Sequence, residues 1–177
     1  GSDRSSVTLD GTKVYVPTGW WVDGDDSGLL VLNGDDGKII KHVSIGEKAH
    51  NSLVSVDGRY VYLGTTRMLT MLDTENESIV AQISPVGEAG GQGVFPYTVD
   101  SANRIAYVSL GSTVGFDVVD LETQEIIHQV IVGDERIPHR THGAALTPDE
   151  TELWISDQEG NKLFIFDATQ MPPVLTG

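Results

Sequence analysis

Cysteine is missing altogether from this 177-residue chain, positive charge is scarce and helical periodicity is almost absent. Without cysteine there is no disulfide, no thiol nucleophile and no thiolate ligand for a metal. Lys and Arg number 11 against 26 Asp and Glu, a formal charge of −15. That balance promotes solubility and argues against nucleic acid or an anionic membrane as a partner. No apolar run is long enough to span a bilayer. No charged-then-apolar leader opens the chain, but Gly1-Ser2 reads as a cloning scar and leaves room for a removed signal peptide. A periplasmic or extracellular location is the expectation. Familiar catalytic motifs are missing too: there is no Gly-x-Ser-x-Gly elbow, no His-Glu-x-x-His and no phosphate loop. Gly90-Gly91-Gln92-Gly93 leads into Val94-Phe95-Pro96 and a strand rather than a helix, so it reads as an adaptable loop and not as a phosphate cradle.

What the chain does have is one phrase repeated four times. An apolar strand is followed by a turn built around Asp, a strand carrying an aromatic, and a third strand closing on Asp or Asn. The aromatics are Tyr15, Tyr62, Tyr107 and Trp154, spaced 47, 45 and 47 apart; the closing residues are Asn33, Asp73, Asp120 and Asp167, spaced 40, 47 and 47. Alternating apolar residues and β-branched content make each segment a strand, and a period in the forties with several strands per unit is the signature of a β-propeller blade. The expected first strands are Ser6 to Leu9, Leu53 to Val56, Tyr97 to Val99 and Ala144 to Leu146. Second strands are expected at Lys13 to Pro17, Tyr60 to Gly64, Ile105 to Leu110 and Leu153 to Ser156, and third strands at Gly28 to Leu32, Leu69 to Leu72, Phe116 to Val119 and Leu163 to Phe166. Fourth strands fall at Ile39 to Ile45, Ile79 to Ile83 and Ile126 to Val132, with a weak candidate at Val174-Leu175. The fold class is therefore all-β: a single propeller domain with about four blades of four antiparallel strands, at 5–49, 50–94, 95–142 and 143–177.

The repeat resembles the YVTN family of propeller repeats, in which a blade begins at His-Gly or Pro and runs through an apolar strand, Ser-Pro-Asp-Gly, Val-Tyr-Val and Val-Ile-Asp. The nearest copy runs from His142-Gly143-Ala144-Ala145-Leu146-Thr147-Pro148-Asp149 through Leu153-Trp154-Ile155-Ser156-Asp157 to Phe164-Ile165-Phe166-Asp167. Weaker copies are Val54-Ser55-Val56-Asp57-Gly58 with Val61-Tyr62-Leu63, and Val14-Tyr15-Val16 with Val31-Leu32-Asn33. The resemblance implies the fold; families of this kind include binding modules, cofactor-carrying subunits and a few hydrolases. It also implies a ring of seven blades, against about four here. The expectation is a fragment, or a partial ring completed by another chain; a tight four-blade ring and an eight-bladed dimer of half-rings are the alternatives.

Binding residues belong where the copies diverge, because scaffold positions must recur and binding loops need not. One end of the blades carries only short turns: Asp10-Gly11, Gly34-Asp35-Asp36-Gly37, Asp57-Gly58, Thr74-Glu75-Asn76-Glu77 and Glu122-Thr123-Gln124. The long insertions, 19–27, 88–96 and 134–142, all fall at the other end. Trp20 and Trp21 in the first insertion form a stacking surface for a ligand or a hot spot for a protein, or cap the end of the barrel. Phe95, Arg136 and Arg140 complete the candidate ligand-binding set. Asp23, Asp25 and Ser27 have the one-three-five oxygen spacing of a calcium loop, but Gly34 stands where its twelfth-position glutamate belongs, so a solvated acidic turn competes. His50 and His142 fall twelve residues before Tyr62 and Trp154. With His139 and Arg140 nearby they are candidates for zinc or copper ligation or for holding an anion, against a plain hydrogen-bonding role at the start of a blade. His42 and His128 lie on outer strands and read as structural.

Two functions follow. One is a non-catalytic propeller that recognises a partner protein or small ligand through the loop-elaborated end. The other is a lactonase-like hydrolase or quinoprotein-like redox propeller with histidines at the channel mouth.

Overall fold

The computed structural model describes residues 4–46, 48–65, 67–84, 97–110, 113–132 and 141–177. Every regular element among them is a strand, and the strands form four separate sheets of four. The first sheet holds β1 (Ser6–Val7), β2 (Lys13–Pro17), β3 (Gly24–Asn33) and β4 (Ile39–Gly46). The second holds β5 (Asn51–Val54), β6 (Tyr60–Gly64), β7 (Leu69–Asp73) and β8 (Ile79–Ile83). The third holds β9 (Tyr97–Val99), β10 (Ile105–Ser109), β11 (Gly115–Asp120) and β12 (Glu125–Ile131), and the fourth β13 (Thr141–Leu146), β14 (Glu152–Asp157), β15 (Lys162–Asp167) and β16 (Val174–Leu175). Each sheet is an antiparallel meander in chain order, which is the blade of a propeller. The protein is thus all-β, with four propeller blades, and no helix long and apolar enough to cross a membrane occurs among the described residues. The chain divides into two compact units, Gly1–Ile83 with blades one and two and Ser84–Gly177 with blades three and four.

The repeat aromatic sets the register. Its partner on the first strand lies nine residues earlier in every blade: Ser6 with Tyr15, Leu53 with Tyr62, Thr98 with Tyr107 and Ala145 with Trp154. On the third strand it pairs with Val31, Met71, Val118 and Ile165.

Turn chemistry recurs as strictly. An oxygen at the end of the first strand, from Thr8, Ser55, Asp100 or Thr147, accepts the first amide of the second strand at 2.9 to 3.0 Å. Three residues on, Gly11, Gly58, Asn103 and Glu150 all take positive φ between 54° and 74°, a region glycine and Asn tolerate best. The third strand closes on a second device: Oδ1 of Asn33, Asp73, Asp120 and Asp167 accepts the amide two residues later at 2.8 to 2.9 Å. Aspartate and asparagine close the strand because their short side chains can mimic a backbone turn.

Strand limits differ from expectation at the first strands. The first and second blades end theirs at Val7 and Val54 rather than Leu9 and Val56, because the Thr8 and Ser55 hydroxyls draw the backbone into the hairpin. The third strand of blade one starts at Gly24 rather than Gly28. Its ladder to β4 skips from Gly24 opposite Gly46 to Gly28 opposite Ser44, so residues expected in a loop form a bulged strand extension.

Within each unit the core lies where two blades meet. In the first, Tyr15, Leu29, Val31, Val43 and Ile45 of blade one pack with Val61, Leu63 and Leu72 of blade two. In the second, Tyr107, Phe116 and Val118 of blade three pack with Leu153, Ile155 and Phe166 of blade four, and Phe116 meets Phe166 edge to face at 5.1 Å. The rule is the same in both: the aromatic face of one blade covers the residues that flank the aromatic on the next.

Candidate functional site

At the loop end of the first unit, the β2–β3 connection and the segment joining blades one and two are tied together. Thr18 closes the connection, its hydroxyl accepting the Gly28 amide at 3.0 Å and its own amide donating to the Gly28 carbonyl at 2.9 Å. Gly28 must be glycine, because a Cβ there would sit 2.0 Å from the Val43 carbonyl oxygen. Gly19, at φ 103°, turns the chain and donates its amide to the Ala49 carbonyl at 2.9 Å. Ala49 donates in return to the buried Ser27 hydroxyl at 3.2 Å.

These bonds hold the two tryptophans in different states. Trp20 is half-buried, its ring perpendicular to that of His50 with centroids 5.7 Å apart. The Lys48 ammonium stands 5.7 Å from the Trp20 ring centroid, within cation–π reach, and 3.9 Å from the Asp23 carboxylate. Trp21, the next residue, is 84% exposed. A hydrogen-bonded base therefore presents one indole to solvent.

The calcium set is distributed rather than gathered. Asp23 and Asp25 are exposed and Asp25 lies on β3, whereas the Ser27 hydroxyl is buried on the Ala49 amide. Among the described residues, no three His, Cys, Asp or Glu side chains gather as they would around a metal ion. His50 stands just before β5 and His142 within β13, at equivalent distances from the residues facing Tyr62 and Trp154. His142 is exposed at a bulge between Thr141 and Gly143, while the His50 amide donates to the Gly64 carbonyl at 3.0 Å. The two histidines belong to different units. Phe95, Arg136, His139 and Arg140 lie outside the described residues.

A second concave feature was not legible as a site. At the turn end of the first unit, a cleft of about 430 Å³ opens between the hairpins of blades one and two, lined by Leu9, Asp10, Lys13, Asp57 and Glu75 among others. Hydrogen bonds from the Thr8 hydroxyl and then from the Thr12 amide and hydroxyl lower the Asp10 carboxyl to about 2, so it is ionised at neutral pH. The Lys13 ammonium is engaged with the Thr74 carbonyl at 2.7 Å and with the Glu77 carboxylate. The only signal in the sequence is the recurrent Ser/Thr-x-Asp hairpin, whose polar atoms are largely committed to the turn itself.

Comparison with known proteins places the fold and stops there. No family model matches the chain, and no curated protein matches it. Among solved structures, hydrazine synthase from Kuenenia stuttgartiensis superposes with TM-score 0.76 at 16% identity, over 98% of this chain and 52% of that one. The β-propeller domain of Cps50 (Swd1) from Myceliophthora thermophila gives 0.72 at 13%, over 97% and 56%. The dihydro-heme d1 dehydrogenase NirN gives 0.71 at 16%, over 97% and 36%. All support a propeller fold, and this chain spans about half or less of each. One neighbour is named as a propeller domain and two carry enzyme names, so the likeness does not choose a function.

Proposed function

We propose that this protein is a non-catalytic binding propeller, located outside the cytoplasm, that recognises a partner protein or small ligand through its loop end. The observation that carries the reading is Trp21, 84% exposed on a segment pinned by Gly19, Ala49 and the Trp20–His50 pair. Covering an indole of this size is worth about 4 kcal/mol at roughly 25 cal/mol per Å². A tryptophan kept in water on a hydrogen-bonded base is the feature expected of an interface anchor. The net charge of −15 favours a neutral or basic partner.

A photo-reactive benzoylphenylalanine placed at position 21, with a control at Asp35 in a tight turn, tests the reading in a periplasmic or secreted extract. Discrete adducts at position 21 alone, lost on Trp20→Ala, are expected. Equal labelling at both positions would overturn it. The alternative, an enzyme with a metal or substrate at the histidines, rests on the equivalent positions of His50 and His142 in their blades. Stoichiometric zinc, copper or calcium that disappears on His50→Ala or His142→Ala would put that reading in its place.

A further inference from the structure

Each unit has one blade with apolar residues left exposed at positions that are buried in its covered junction. Within each unit, the aromatic face of the earlier blade is closed by the later one: Tyr15 is 0% exposed and Tyr107 4%. In blade four the same register position holds Trp154, which is 38% exposed. Its neighbour Leu163 stands opposite Ser156 as Leu29 stands opposite Pro17 and Phe116 opposite Ser109. Leu29 and Phe116 are fully buried, whereas Leu163 is 58% exposed. Ile165, paired with Trp154, is half-buried where Val31 and Val118 are fully buried.

Blade one shows the complementary deficit. The residues flanking the aromatic are fully buried in blade two (Val61, Leu63) and in blade four (Leu153, Ile155). In blade one they are Val14 and Val16, both half-buried, and their partners Leu32 and Leu30 are half-buried as well. Val7, which pairs with Val14, is 52% exposed, while its equivalents Val54 and Leu146 pack against the cores of their units. Side-chain chemistry does not explain the difference, since Val, Leu and Ile occupy these positions in all three blades.

We propose that a second copy of this chain seats its blade one, through Val14, Val16, Leu30 and Leu32, on the Trp154 face of blade four. Two observations point to that occupant. The exposed residues of blade four stand in the register that Tyr15 and Tyr107 occupy in the two covered junctions, so the face is shaped for another blade. Blade one of the same chain offers the matching apolar set, and a second copy necessarily brings it. The contact is heterologous, head to tail, so it ends in a closed assembly only where two or more copies return to the start. Paired strands meeting face to face also shelter the outlying apolar side chains that would otherwise promote aggregation.

Sedimentation equilibrium of the 177-residue chain at micromolar concentration tests this. The expected mass is twice 19.1 kDa, falling to the monomer value for both Trp154→Asp and Val16→Lys, with circular dichroism unchanged. Mixing those two variants pairs one unaltered junction with one Asp–Lys junction and is expected to restore the doubled mass. Where either charged variant loses its circular dichroism signal, Trp154→Gln and Val16→Thr replace it, with at least a tenfold weaker self-association expected. A wild-type chain that stays at 19.1 kDa, or a dimer that none of these substitutions weakens, would overturn the proposal.

Discussion

Tyr15 and Trp154 occupy one register position in two blades, and their surroundings differ completely. Tyr15 is sealed between Val31 and the apolar flank of blade two, while Trp154 faces solvent, its indole nitrogen bonded to Glu152 at 2.9 Å. Strand pairing, turn chemistry and hydrophobic content are alike around both. The difference teaches that a blade is specified locally, but its stability is shared: each sheet buries its aromatic face only when another sheet is laid on it.

The largest expected effect strikes the covered side. Tyr15→Ala and Leu29→Ala should each cost about 3 to 5 kcal/mol in urea unfolding, whereas Leu163→Ala in dilute, monomeric protein should cost less than about 1 kcal/mol. Similar losses at Leu29 and Leu163 would erase the distinction between the two faces. Next comes the clasp between blades one and two. Glu77 is buried and receives the Lys13 ammonium, with the Lys41 ammonium 3.9 Å away. Glu77→Ala should destabilise by about 1 to 3 kcal/mol, because it strands the Lys13 charge at the junction. The same measurement checks it.

Acid should loosen the turn end. Asp10, Asp120, Asp149 and Asp167 are all held below the ordinary carboxylate range, by the Thr8 hydroxyl, the Thr123 amide, the Thr147 hydroxyl and the Thr169 hydroxyl first in each case. Their folded values lie below the unfolded one, so the stability they add is fully present above about pH 4 and is lost as the pH falls through the folded values, near 2 for Asp10. A pH titration of the Thr12 amide by NMR should therefore show a transition close to pH 2, and none in Asp10→Asn. The smallest effect belongs to Trp21, where Trp21→Ala should change stability by less than about 0.5 kcal/mol by urea unfolding and remove the anchor of the proposed binding surface.

Most of the scaffold was legible because its causes are short-range. The strand positions follow from alternation, and the closing Asp or Asn follows from the amide it captures two residues on; even Val174-Leu175, the weakest candidate, pairs with β15. The start of β3 was hidden because acidic residues at Asp25 and Asp26 disguise a strand that pairs with β4 through Gly24 and Gly46. The Trp20–Trp21 loop was recognisable from composition, but not the division of labour between the two rings, which depends on Lys48 and His50 arriving from the segment that joins blades one and two. Face coverage was the least visible property. Leu163 and Leu29 are the same residue in the same register, and only the presence of a neighbour distinguishes them.

Acrylamide quenching of Trp154 fluorescence, in protein whose other tryptophans are replaced by Trp20→Phe and Trp21→Phe, tests the paired open faces most directly. Strong quenching is expected in dilute solution, and a several-fold weaker quenching once concentration drives copies together. Quenching of the same strength at every concentration would contradict it.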